Sequence, residues 1–259
     1  MSRDSVKVVK IGGHVVDSTE GLDKLLDEFA ALEGNKILVH GGGKIATNIS
    51  AALGIEAKMV EGRRITDAAT VEVVTMVYAG GINKSIVAKL QRRGVAAWGI
   101  CGADAQIIPA IKRPVKDIDY GFVGDVLTDS INNQALQMLI GSGYSVVVAP
   151  ITVDAEGQLL NTNADTIAQS VAVAMSKIYD VELIYLFEKS GVLADIADDN
   201  SVIKLISHEN YPQLKSSGKI FDGMIPKIDN ALLAVDSGVT GVRICNTLRV
   251  DAGTLIAKI

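Results

Sequence analysis

Short apolar runs alternate with longer amphipathic stretches along the whole chain, and this alternation restricts the fold more than any other feature. Residues 6–11, 37–40, 95–101, 144–149 and 181–187 are strand-length and largely apolar. Between them lie helical periodicities, the first carrying Leu22, Leu25, Leu26, Phe29 and Leu32 on one face behind a cap at Asp17 or Ser18. Strands without polar alternation, joined by helices, describe an α/β fold: an open, mainly parallel sheet sandwiched between helices. With 259 residues, 48% hydrophobic and 21% charged, the chain has the material for one large core.

Further helices are expected over 44–53, stopped by Gly54, and from a Thr66/Asp67 cap to Gly94 with a break at Gly80-Gly81. Others cover 132–140 and 164–175, and two more begin at caps on Ser207 and Asp222. Residues 104–128 depart from the rhythm and read as inserted β-hairpins without helix, through 107–111, Pro114 and 120–123. Short strands are expected at 158–160, 242–244 and 255–259. There is no internal repeat or linker, so a single domain holds two functional lobes that divide near 170–185, about 1–175 and 176–259.

Composition excludes several classes. Lys plus Arg is 25 against 30 Asp plus Glu, a net −5 with 4% aromatics, which lacks the basic footprint of a nucleic-acid binder. Cys101 and Cys245 are too few for a disulfide framework or a zinc site. No apolar run approaches the ~18 residues of a membrane span, and the N-terminus enters a strand without a signal-peptide core. The expectation is a cytoplasmic protein that binds neither membrane nor nucleic acid.

Two strand–glycine–helix junctions, Lys10-Ile11-Gly12-Gly13 and His40-Gly41-Gly42-Gly43-Lys44, fall where open parallel sheets bind ligands. Glycine allows close backbone approach, and the N–H groups at a helix start face an anion. A P-loop is excluded, because Gly43-Lys44 and Gly218-Lys219 both precede Ile. No Gly-x-Ser-x-Gly accompanies His40–Gly43, so an esterase is excluded too. Gly41, Gly43 and Ala46 fit a dinucleotide fingerprint, with Glu61 at the distance of a ribose-binding acid; an NADP-dependent oxidoreductase is the alternative class.

Four charged or polar positions suggest a site. Lys10 ends the first strand beside glycines, and Arg64 precedes a helix cap, where its fork suits a carboxylate. Asn161-Thr162-Asn163-Ala164-Asp165 opens a helix with more capping candidates than one helix requires. Lys227 lies in the first turns of a helix after Asp222, where the dipole disfavours a cation. His14, His40 and His208 are scattered and read as local packing.

Lys10–Gly13, His40–Gly43, Gly62–Thr66, Asn161–Asp165 and Asp222–Lys227, in this order and spacing, resemble the amino acid kinase family over the whole chain. Within it the resemblance is to members that phosphorylate the side-chain carboxylate of N-acetyl-L-glutamate with ATP and Mg²⁺ in arginine biosynthesis. N-succinyl or carrier-linked acceptors are the alternatives. The resemblance implies Lys10 and Lys227 as the transition-state lysines and Asp165 as the acid orienting them. It implies Gly42, Gly43, Arg64, Asn161 and Asn163 around the acceptor. For the nucleotide it implies Gly12, Gly13, Glu188, Ser190, Gly191, Asp222, Gly223 and Met224 with Lys227. Where the family commonly has a hydroxyl residue and then Asp, this chain reads Phe187-Glu188, a departure that bears on nucleotide affinity and base preference. Arginine-inhibited members carry an extra N-terminal helix; with only about five residues ahead of the first strand here, the expectation is an arginine-insensitive homodimer.

Overall fold

A computed structural model describes residues 3–60, 62–220 and 222–258, without the side chain of Asp222. Eight strands form the main sheet: β1 Ser5–Ile11, β2 Asn35–His40, β3 Ala97–Ile100, β4 Ser145–Val148, β5 Asp180–Leu186, β6 Leu205–Ile206, β7 Gly241–Cys245 and β8 Thr254–Ile256. Their order is β6-β8-β7-β5-β1-β2-β4-β3. Pairing is parallel from β7 through to β3, whereas β8 runs antiparallel to β7 and pairs in parallel with β6. The sheet runs unbroken across the expected division of lobes, and β1 lies at its centre.

Successive strand residues are buried on opposite faces. Val6, Val8, Ile37, Val39, Val146 and Val148 pack under α6 (Asn133–Gly141), α7 (Ala164–Met175) and α9 (Ile225–Asp236). Val9, Ile11, Leu38 and Val147 pack under α2 (Thr19–Ala31), α4 (Ala68–Thr75) and α5 (Asn83–Arg92). Two full helical layers explain why these strands read as continuous apolar runs.

Local outcomes refine the sequence reading. Ser18, not Asp17, caps α2, its side chain accepting from Gly21 N–H at 3.1 Å, after a one-turn α1 (Gly13–Val16). The second glycine junction starts α3 (Gly43–Ala52). Gly80-Gly81 does not break the helix: Met76–Ile82 winds as a wider π-turn continuous with α4 and α5, which spares the chain a second nucleation. Residues 104–128 hold one hairpin, Ala110–Lys112 against Gly124–Val126, and a short 3-10 turn at Asp104–Gln106. Ser207 closes its own turn, accepting from Glu209 N–H, rather than capping α8 (Tyr211–Ser216). Asp222 opens a 3-10 turn, and α9 begins only at Ile225 with Pro226 in its first turn. Of the last expected strand, Thr254–Ile256 forms; Ile259 lies outside the described residues. Among those residues no helix is long and apolar enough to cross a membrane.

Candidate active site

The parallel pairing sets Ile11 beside His40, so the two glycine turns leave the sheet as neighbours. Gly41 N–H donates to Ile11 O at 3.0 Å. Gly42 has φ 153°, and a Cβ there would collide with Ile82 Cδ1 and press on the Tyr78 ring, both side chains of the π-turn. A side chain here is therefore strained by the positive φ and presses on the π-turn, which forms the wall behind Gly42.

Two cavities of about 230 Å³ each open at this end of the sheet. One is lined by Gly13, Gly42, Gly43, Arg64, Asn161 and the Arg113 side of the hairpin. The other lies over the ends of β5 and β7, against Tyr185, Phe187, Lys227 and Asn230. Lys10, Arg63, Asn163, Asp165 and Thr166 line both. At this shared wall Lys10 Nζ lies 2.8 Å from Asp165 Oδ1, with the lysine side chain 15% exposed and the carboxylate 51%.

The helix start explains why Asp165 is free to make that pair. Asn163 is the cap of α7, accepting from the N–H groups of Asp165 (2.8 Å) and Thr166 (3.2 Å). One capping residue suffices, so the Asp165 carboxylate turns to Lys10. Lys227, in the first turn of α9, is exposed as a residue, yet its ammonium stands 3.6 Å from the centre of the Phe187 ring. Burial lowers its pKa, the positive charge of Lys10 adds to that, and the carboxylates of Asp165 and Glu188 oppose it. The aromatic face of Phe187 thus meets a cation at the position the sequence marked as a departure from a hydroxyl residue.

Arg64 is buried, its Nη2 donating to Gly43 O and Thr47 Oγ1, each at 2.8 Å. Its Nη1 is buried without a partner. Asn161 Nδ2 donates to Thr66 Oγ1 (3.1 Å), and that hydroxyl donates to Arg64 O (3.0 Å). The guanidinium is held from behind with one donor unspent, an arrangement suited to a carboxylate.

The sequence matches the description "Amino acid kinase family" over residues 5–246. The chain belongs to the amino acid kinase family. It is 52% identical over 258 residues to an acetylglutamate kinase of Bacteroides fragilis, covering 99% of this chain and 98% of that protein. A solved structure from Streptococcus mutans UA159 is 27% identical with TM-score 0.75, over 97% of this chain and 98% of that one. Carbamate kinase from Giardia lamblia bound to AMP-PNP shares the fold, with TM-score 0.66 at 14% identity over 99% of each chain.

Measured against the family pattern, Lys10, Asn163 and Asp165 stand at the shared wall, Lys227 on one side, and Gly13, Gly42, Gly43, Arg64 and Asn161 on the other. Gly12 adjoins them as the residue before α1. Glu188, Ser190, Gly191, Gly223 and Met224 line neither cavity. Ser190 Oγ donates to Asp199 O, and a Cβ at Gly191 would crowd Thr254 and Val202, so local packing accounts for both. The Asp222 side chain and Glu61 lie outside the described residues. The dinucleotide alternative also lacks its strand: between Gly54 and Glu61 only Met59–Val60 is extended, in a small hairpin with Arg63–Arg64 apart from the main sheet.

Sequence reading missed Arg63, Thr47, Tyr78 and Arg113. Thr47 sits one helical turn after Gly43, a spacing that would have marked it as an anchor for Arg64. Nothing local marks Arg113. His40 is fully buried, its pKa lowered to about 4 by burial. Its Nδ1–H donates to Gly41 O (2.8 Å), which leaves Nε2 to accept from Asn83 Nδ2 (3.4 Å), consistent with the packing role expected of it.

Proposed function

We propose that this chain transfers the γ-phosphoryl group of ATP to the side-chain carboxylate of N-acetyl-L-glutamate, the kinase step of arginine biosynthesis. One observation carries the reading: the Lys10–Asp165 pair stands in a wall common to two cavities, with Lys227 on the far side. In this reading residues 1–175 supply the acceptor cavity and residues 176–259 most of the nucleotide side.

The acceptor carboxylate, with pKa near 4.3, is ionised at neutral pH and needs no general base. The obstacle is repulsion between two anions, so catalysis reduces to positioning and charge neutralisation. Arg64 and Asn161 grip the α-carboxylate, leaving the γ-carboxylate directed at the shared wall. Lys10, held by Asp165, and Lys227 flank the phosphoryl group, while Gly13, Gly42 and Gly43 present backbone N–H groups. A carboxylate oxygen bonds to Pγ, the bond from Pγ to the bridging oxygen breaks, and ADP leaves with that electron pair. Mg²⁺ arrives on the nucleotide as part of that substrate. The Phe187 ring faces the Lys227 ammonium but supplies no hydroxyl, and Glu188 stands one carbon farther out where the family commonly has Asp. In this reading the chain acts in the cytoplasm as a homodimer, the dimer being checked by light scattering.

The test traps the acyl phosphate with hydroxylamine, using ATP, Mg²⁺ and either N-acetyl-L-glutamate or free L-glutamate. Hydroxamate with the acylated substrate alone supports the reading. No product from folded protein that binds ATP would overturn it.

A further inference from the structure

Among the described residues, every cation lining the two cavities is engaged but one. Lys10 pairs with Asp165, Arg64 donates to Gly43 O and Thr47 Oγ1, Arg113 is paired with Asp125, and Lys227 lies over the Phe187 ring. Arg63 lines both cavities, and no described residue accepts a hydrogen bond or an ion pair from its guanidinium.

The backbone that carries it is fixed. Arg63 pairs with Val60, and Arg64 with Met59, across a small hairpin whose turn holds Gly62 at φ 73°. Ile65 N–H donates to Lys58 O, and Thr66 N–H to Tyr120 O, each at 2.9 Å. Successive residues of a strand point to opposite sides. Arg64 is buried and bonded to Gly43 O, so Arg63 is turned outward and exposed. A rigid stem on the acceptor side thus carries an uncommitted guanidinium to the wall where Lys10 and Asp165 stand.

Charge at that wall gives it a task. Lys10 and Asp165 largely neutralise one another, and burial eases deprotonation of Lys227. During transfer the phosphoryl group spreads negative charge over its equatorial oxygens while the acceptor carboxylate, a second anion, approaches. A guanidinium stays charged at any working pH and offers several donors in one plane.

We propose that Arg63 is a further catalytic residue, its guanidinium donating to the transferring phosphoryl group between the two substrates. The proposal rests on the kinase reading. The bonds made and broken are those given above; Arg63 keeps its protons and supplies only charge and hydrogen bonds.

Arg63→Ala and Arg63→Lys are compared with wild type for hydroxamate formation from ATP, Mg²⁺ and N-acetyl-L-glutamate. An exposed side chain adds little to folding, so thermal melts of both variants should match wild type. In R63A kcat is expected to fall ~10²–10³-fold, the cost of losing one donor to developing charge, with each KM changed no more than a few-fold. R63K should recover part of that loss. Free guanidinium ion, well below denaturing concentration, should raise turnover of R63A and not of wild type. Binding of ADP with Mg²⁺ and aluminium fluoride, a mimic of the phosphoryl group in flight, should weaken in R63A by the same factor as kcat when N-acetyl-L-glutamate is present. A kcat of R63A within a few-fold of wild type overturns the proposal. So does a loss confined to one KM, which would assign Arg63 to ground-state binding of that substrate. A folded wild type that forms no hydroxamate defeats the kinase reading, and the proposal with it, whereas an active wild type with an unimpaired R63A defeats the proposal alone.

Discussion

Protonation of His40 should be the main single contribution to acid instability of the glycine turns. The imidazole is wholly buried, and burial lowers its pKa from 6.5 to about 4. The unfolded chain binds this proton below about pH 6.5, whereas the folded chain does not until about pH 4. Stability is therefore fully present above 6.5 and falls with pH toward 4, by about 3 kcal/mol in all and about 2 kcal/mol between pH 7 and 5. The consequence is local as well as global, because Nδ1–H holds Gly41 O, and Asn83 ties the ring to Val147 O on β4. Urea melts of wild type and His40→Gln at several values from pH 7.5 to 4.5 isolate the effect, since only the difference in pH slope matters. The variant loses stability at every pH, yet its curve should be flatter by the stated amount. Equal slopes in the two proteins would refute the reasoning.

Arg64→Lys keeps the charge but cannot hold Gly43 O and Thr47 Oγ1 while presenting a further donor; acceptor KM should rise ~10- to 100-fold with nucleotide KM unchanged, in steady-state assays varying each substrate. Gly42→Ala forces a side chain against Ile82 at a positive φ; kcat/KM should drop by roughly 10²-fold while the melt shows a folded protein. Because burial lowers the pKa of Lys227, the alkaline limb of kcat should lie below the ordinary lysine value. Lys227→Arg should move that limb upward in a pH–rate profile, and a limb unmoved by K227R would assign it to another group.

The order of layers was legible because the strands buried between two helical layers are largely apolar and the main helices show their stripes; α7 was readable to the residue. Boundaries set by competing local bonds were less so. Whether Asn163 or Asp165 capped α7 could not be told from their types, since both are good caps, and the answer depends on Lys10 lying 2.8 Å from one of them. Gly80-Gly81 reads as a break, yet the packing of Tyr78 and Ile82 against Gly42 keeps the helix continuous as a π-turn. The glycine turns and the lysines were visible as motifs. Arg113 was not, because its place depends on a hairpin docked far along the chain, through the bridge of Val123 to Asn161.

The account rests on Lys10 acting at the wall between two occupied cavities, not merely supporting the fold. Lys10→Ala, compared with wild type for hydroxamate production and for equilibrium binding of ATP and of N-acetyl-L-glutamate, tests this most directly. The expected result is a fall in kcat of ~10²–10³ with both ligands still bound. Turnover within a few-fold of wild type, or loss of folding and of both binding events together, would contradict it.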